Sequence, residues 1–145
     1  MAKKEELVKK RATFEKNIEK WIELEDLTVK SCETIMKKSS SIVVKAMMNA
    51  IKMDSQKHKD LLGVVLQCVD GTVTLTPEEL EMLSSLLEGH TKIEMDAINM
   101  AERAITDSKH FVVTHILKYI LDDERKHFAI ATDLNSFKAH MYPYA

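Results

Sequence analysis

The sequence contains few of the turn residues that connect the strands of a sheet. Its 145 residues include only three glycines and two prolines, and aromatic residues make up 6%. A sheet protein of this length needs more turn residues, whereas the abundant Leu, Met, Ala, Glu and Lys favour long uninterrupted helices. We therefore predict an all-α fold, and a chain of this length fits one domain, residues 1–145.

Cysteines and long apolar runs are also scarce. Cys32 and Cys68 are too few and too far apart for a zinc ribbon, a CxxC redox pair or a disulfide framework, and Cys32 falls on an apolar stripe as a small core residue. No apolar run reaches the 18 or more residues of a membrane span, and the polar start MAKKEELVKK does not resemble a signal peptide. We expect a cytoplasmic protein with no membrane partner.

Neither sign of charge dominates, since the formal net charge is −2. The N-terminal basic residues alternate with Glu5 and Glu6, which is typical of a solvated helix face rather than of a nucleic-acid site. We therefore expect no nucleic-acid partner.

Apolar residues recur at three- and four-residue steps in four segments, which predicts four helices. The first runs from about Glu5 to Lys38, the second starts at Val43 after three serines that can cap it, and the fourth starts at about Ser108. Thr76 as N-cap, Pro77 at the first helical position and Glu79 as capping-box partner mark the start of the third. Short connections make neighbouring helices antiparallel, as in a four-helix bundle.

An internal repeat relates the two halves of the chain. A shift of 69 residues aligns them without a gap and gives ten identities, among them Glu25 with Glu94, Asp54 with Asp123, and His58 with His127. We interpret the chain as two copies of one helical hairpin, about 5–68 and about 76–138, with a short tail at 139–145.

The repeated polar residues fall on the apolar faces. The four stripes pass through Glu25, His58, Glu94 and the Glu124–His127 pair, near the middle of each helix, so these side chains can meet at one point inside a bundle. An unpaired carboxylate there costs several kcal/mol. The cluster therefore needs cations or protons, and a bound metal ion supplies them most simply.

Glu124 and His127 form a Glu-x-x-His pair, and Glu94 precedes it by thirty residues. One glutamate from each of two helices, with Glu-x-x-His from each of the other two, is the ligand set of carboxylate-bridged di-iron bundles. From about Glu19 to Leu134 the chain resembles the ferritin-like superfamily, most nearly its rubrerythrin-like branch. The resemblance implies a ferritin-like four-helix bundle with metal ligands at Glu25, His58, Glu94, Glu124 and His127.

The resemblance also implies supporting residues and chemistry. Asp54 would orient His127, and Asp123 would orient His58, through hydrogen bonds. The implied cofactor is iron, as one ion or two, with manganese or zinc as alternatives. The implied function is iron handling or an oxidoreductase reaction on peroxide or dioxygen, in a possible homodimer. Because the chain lacks the cysteine-rich module of rubrerythrins, electrons would come from an external donor.

The chain departs from that pattern in three places. Ser55 stands where the first repeat should offer its motif glutamate, so one bridging carboxylate is missing. His90 lies one turn before Glu94 and is a possible extra ligand. The connection from Val69 to Thr76 is too short for a ferritin-like crossover unless the second helix ends near Gly63 or Leu66, and otherwise the helices run up-down-up-down.

The alternative function is a non-catalytic bundle, binding or structural. In it the inward acids form a hydrogen-bonded network without metal, as Ser55 favours.

Overall fold

The computed structural model describes residues 1–73 and 75–141, and nearly all of them are helical. The four helices are α1 (Ala2–Lys38), α2 (Ile42–Asp70), α3 (Pro77–Asp107) and α4 (Phe111–Met141). No strand occurs in these two ranges. The prediction of an all-α chain with four helices is therefore confirmed. Within the same ranges, no helix combines the length and the apolar character that crossing a bilayer requires.

The start of α3 follows from local capping chemistry. The Thr76 hydroxyl accepts a hydrogen bond from the Glu79 backbone N–H at 3.3 Å. Pro77 occupies the first turn, where a missing N–H costs nothing. The predicted boundary is confirmed at both residues.

The boundary before α4 differs from the prediction. Ser108 has an extended backbone, with φ −74° and ψ 130°, and its N–H donates to the Ala104 carbonyl, so it ends α3 instead of starting α4. The fourth helix begins at Phe111, three residues later than expected. Serine fits either role, because its short side chain suits any position that flanks a helix.

Gly71 ends α2 in the left-handed conformation, with φ +81°. Its N–H donates to the Cys68 carbonyl at 3.3 Å, and the Thr72 N–H donates to the Gln67 carbonyl at 3.1 Å. This arrangement satisfies carbonyls that the helix leaves unpaired, and glycine adopts it without a steric penalty. The helix therefore continues through Gly63 and Leu66, and the early end that a crossover needs does not occur.

The connection between α2 and α3 consists of residues 71–76. Six residues reach roughly 20 Å when fully extended, whereas the 29 residues of α2 make a helix about 43 Å long. A ferritin-like crossover within one chain is therefore excluded by reach.

The chain divides into two compact units, Met1–Thr74 and Leu75–Ala145. In the first, α1 packs on α2, with Ile18, Cys32 and Leu62 buried. In the second, α3 packs on α4 around Ile98, Ala101 and Leu121. We call these units hairpin 1 and hairpin 2. The prediction that Cys32 is a core residue is confirmed, and the single domain stays a prediction.

The 69-residue offset of the sequence repeat also matches the helix ends of hairpin 1 to those of hairpin 2. Lys38, the last residue of α1, corresponds to Asp107, the last residue of α3, and Ile42 corresponds to Phe111 in the same way. Buried positions follow the same offset: Leu62 corresponds to Ala131, and both are buried. Equivalent residues can therefore be compared between the hairpins position by position.

Candidate metal centre

Each hairpin buries one glutamate from its first helix. Glu25 on α1 is 9% exposed, and Glu94 on α3 is 8% exposed. The 69-residue offset makes them equivalent. Both lie inside their own hairpin, as the helical periodicity predicts, and the two hairpins surround them with different chemistry.

In hairpin 1, three hydrogen-bond donors surround the Glu25 carboxylate. The Trp21 indole Nε1–H donates to Oε1 at 2.9 Å, and His58 Nδ1 lies 3.2 Å from the same oxygen. The Ser55 hydroxyl, on a residue only 3% exposed, supplies the third hydrogen bond. A carboxylate accepts but does not donate, so His58 carries its proton on Nδ1 in this contact.

These donors lower the pKa of Glu25. The largest cause is the Ser55 hydrogen bond, Trp21 and His58 add to it, and burial opposes it. Hydrogen bonds to the charged form stabilise that form, so Glu25 is ionised at neutral pH. Its charge is satisfied without any cation.

In hairpin 2, Glu124 occupies the position of Ser55. Glu94, Glu124 and His127 each offer one potential ligand atom, and the three atoms lie within 4.8 Å of one another. His127 Nδ1 is 3.7 Å from Glu94 Oε2 and 3.6 Å from Glu124 Oε2. These separations are too long for hydrogen bonds. Bonds of about 2.0–2.2 Å place two tetrahedral ligands of one ion roughly 3.3–3.6 Å apart. The two separations lie at and just above the upper end of that range, so small side-chain movements would bring the atoms to one ion.

The pKa of Glu124 is raised. The largest cause is the polar interaction with the neighbouring Glu94 carboxyl group, burial and the negative charge of Glu94 act in the same direction, and His127 opposes them. Two neighbouring carboxyl groups repel each other when both are ionised, so a proton on one of them is favoured. Hairpin 2 therefore needs a positive charge at this point, and a metal ion can take the place of the proton. The residues present fit such an ion.

His90 lies on the other side of Glu94. Its Nε2 is 2.9 Å from Glu94 Oε1, whereas His127 faces Oε2. His90, the possible extra ligand, thus contacts a different Glu94 oxygen from the one that faces His127. Its role as a ligand stays a prediction.

The two aspartates predicted to support the histidines have local partners. Asp54 pairs with Lys57, and Asp123 pairs with Lys126 at 2.8 Å, each one turn along its own helix. The interaction is thus repeated in the two hairpins. Their predicted action on the histidine of the opposite hairpin stays a prediction, as does the combination of Glu25 and His58 with the ligands of hairpin 2.

A groove of about 360 Å³ opens beside the candidate centre in hairpin 2. Its polar lining residues are His90, Glu94 and His127, and its apolar lining residues are Leu87, Ile130, Ala131 and Leu134. His127 keeps 40% of its side chain exposed. Within hairpin 2, the candidate centre therefore borders this groove.

Sequence reasoning missed two functions in these clusters. Helical spacing places Trp21 only on the apolar stripe of α1, and the motif comparison treats Ser55 only as a missing ligand, yet both donate hydrogen bonds to Glu25. One signal was present: Trp21 lies one turn before Glu25, as His90 lies one turn before Glu94.

No protein-family model matches this chain, and neither a curated protein nor a solved structure does. The resemblance to the ferritin-like superfamily rests on the residues of the chain alone.

Proposed function

We propose that this chain is a metal-binding protein with a ferritin-like ligand set but without the ferritin-like crossover, and with a centre on hairpin 2 formed by Glu94, Glu124 and His127. One observation carries the proposal: two carboxyl groups and an imidazole lie within 4.8 Å of one another, and Glu94 among them is buried. Buried carboxylates in contact are unfavourable unless a cation or a proton neutralises them. A metal ion explains both the residue types and their spacing.

The proposal includes a four-helix bundle made from two duplicated hairpins. Two helices bury only a narrow stripe, and each hairpin leaves an equivalent row of apolar side chains exposed. Ile51 and Ile120, one from each hairpin, are both 46% exposed. Val44, Val113, Leu61 and Ile130 are exposed at other equivalent positions. Pairing these rows would bury them, and Glu25 and His58 would then be further ligands, as the resemblance implies.

Iron is the metal we propose, with manganese or zinc as alternatives, because carboxylate oxygens mixed with imidazole suit these ions. Bound iron would supply one-electron redox chemistry toward dioxygen or peroxide, or the site would serve iron handling. The glutamates would hold the ion by charge, and His127 would hold it through a ring nitrogen. Cys32 is buried and Cys68 lies on another helix, so an external donor would supply the electrons.

Metal content tests the proposal directly. After anaerobic loading with Fe(II) and desalting, elemental analysis should find about one ion or more per chain. Glu124→Ala should lose most of it, because it removes a carboxylate from the centre. Asp133→Asn, at an exposed position on the same helix, is the matched control and should retain it. Fewer than roughly one ion per five wild-type chains would count against the proposal.

A second candidate function is a non-catalytic binding or structural bundle whose acids form a metal-free network. The Glu25 carboxylate favours it, since three hydrogen-bond donors already stabilise the charge at that site. It predicts that Glu94→Gln leaves or raises thermal stability, and that iron does not change the melting temperature. A metal site predicts that iron raises the melting temperature of the wild type.

A further inference from the structure

The two buried glutamates share one contact. Trp21 Nε1 lies 2.9 Å from Oε1 of Glu25, and His90 Nε2 lies 2.9 Å from Oε1 of Glu94. Trp21 and His90 are equivalent under the 69-residue offset, and each precedes its glutamate by one helical turn. In both hairpins a ring nitrogen thus contacts the same carboxylate oxygen at the same distance.

An indole can only donate at this position, and the same holds for His90. A carboxylate has lone pairs but no proton, so the Nε2 facing Glu94 carries a hydrogen. A protonated ring nitrogen has no lone pair for a metal. The other ring nitrogen, Nδ1, lies on the side of the ring opposite Oε1, so it cannot reach an ion that Glu94 holds. In this arrangement His90 therefore donates a hydrogen bond to a ligand and is not a ligand of the same ion.

The consequence for Glu94 is geometric. With Oε1 held by His90, its Oε2 faces His127 at 3.7 Å. Hydrogen bonds to the outer oxygen of a ligating carboxylate restrict its rotation and raise its affinity for a metal.

We propose that His90 is a positioning residue, which donates from Nε2 to Oε1 of Glu94 and thereby directs Oε2 to the metal, and that it is not a metal ligand. The metal-binding half of this inference rests on the proposed function above. The hydrogen bond itself does not.

Trp21 supplies the discriminating substitution. His90→Trp restores the donor that hairpin 1 uses at the equivalent position but cannot ligate a metal, whereas His90→Phe has neither capacity. The side chain of His90 is 53% exposed, so both rings can be accommodated. In anaerobic competition titrations, His90→Trp should keep the wild-type Fe(II) affinity within about threefold, and His90→Phe should lose about 10- to 100-fold. Lys92→Ala, exposed on the same helix, should not change it.

Two outcomes of this series overturn the inference. If His90→Trp loses as much affinity as His90→Phe, the imidazole acts as a ligand. If neither variant loses affinity, the contact with Glu94 has no part in metal binding.

A readout without metal separates this inference from the proposed function. In long-range ¹H–¹⁵N spectra of the metal-free protein, recorded at a pH at which imidazole rings are neutral, the His90 proton should lie on Nε2. Glu94→Ala should move both ring nitrogens toward the averaged shifts of a free imidazole. An unprotonated Nε2, or no response to Glu94→Ala, overturns the inference. If the spectra are as expected but the wild type binds no metal, the proposed function fails while the orientation of Glu94 by His90 stands.

Discussion

Replacing Ser55 with alanine isolates the hydrogen bond that most affects Glu25. The hydroxyl is the largest cause of the lowered Glu25 pKa, and its residue is 3% exposed. A hydrogen bond to a charged group is worth about 1.5–3 kcal/mol, and a buried acceptor left unpaired costs about the same. Glu25 keeps Trp21 and His58 as donors, so we expect the lower part of that range. Ser55→Ala should reduce the free energy of unfolding at pH 7 by about 1–2 kcal/mol.

Urea denaturation followed by circular dichroism measures this loss. With a slope of about 1.5–2 kcal/mol per molar urea for a chain of this size, the midpoint should fall by roughly 0.5–1.3 M. A double-mutant cycle with Glu25→Gln assigns the loss to the pair. The coupling energy should account for most of the effect of Ser55→Ala. If Ser55→Ala changes the free energy of unfolding by less than about 0.5 kcal/mol, or shows no coupling to Glu25→Gln, the Ser55 hydroxyl does not stabilise the Glu25 charge.

The pH dependence has a definite sign. The folded-state pKa of Glu25 lies below its ordinary value of 4.5. The charged form therefore contributes stability that is present above that value and is lost as the pH falls through the folded-state pKa. The difference in the free energy of unfolding between the wild type and Ser55→Ala should be largest at pH 7 and should decrease below pH 4.5. A difference that does not change with pH would mean that Ser55 acts through packing rather than through the Glu25 charge.

The remaining predictions concern hairpin 2, the converted hairpin 1 and the core. Because the pKa of Glu124 is raised, the metal-free protein loses stability as the pH rises through that pKa. Glu124→Gln should therefore raise the melting temperature of the metal-free protein at pH 7 by roughly 3 °C. Scanning calorimetry should find no such increase below about pH 4. Ser55→Glu completes a Glu-x-x-His pair with His58, and elemental analysis should find up to about one additional ion per chain; unchanged metal content would contradict this. Leu62→Ala, at 7% exposure, should cost about 2–4 kcal/mol in urea denaturation. Leu27→Ala, at 59% exposure on α1, should cost less than about 1 kcal/mol, and equal costs would contradict the packing of hairpin 1.

Helix existence and most helix ends were predictable because they depend on nearby residues. Thr76 and Pro77 specify a helix start through one hydroxyl and one missing N–H, and Gly71 specifies an end through its φ. The start of α4 was not predictable to the residue, since Ser108 can end one helix as readily as it can begin the next. The helical course of residues 139–141 was missed for a related reason: a final turn gains from continuing the helix before it and needs no signal of its own.

The candidate site was predictable in position and only partly in chemistry. Helical periodicity places Glu25 and Glu94 inside their hairpins, because a stripe on one face of a helix is a property of spacing alone. Helical periodicity also predicted that the two histidines point inward. The side chains of His58 and His127 are nevertheless 49% and 40% exposed. Hydrogen bonds such as those from Trp21 and Ser55 depend on side-chain rotamers and on the packing of the second helix, which spacing does not specify.

The comparison between Ser55 and Glu124 bears on why hairpin 2 carries a second carboxyl group. Hairpin 1 demonstrates that this scaffold can bury a glutamate with a serine beside it, and that the hydroxyl then lowers the glutamate pKa and satisfies its charge. Folding therefore does not require a carboxyl group at that position. In hairpin 2 the carboxyl group raises its own pKa against Glu94, which weakens the metal-free protein at neutral pH. A residue that costs stability in the metal-free protein, at a position where a neutral donor suffices, is what the proposed cation would explain, because its binding would offset that cost. If metal-free Glu124→Gln is no more stable than the wild type at pH 7, the cost does not exist, and the argument for a cation loses its main support.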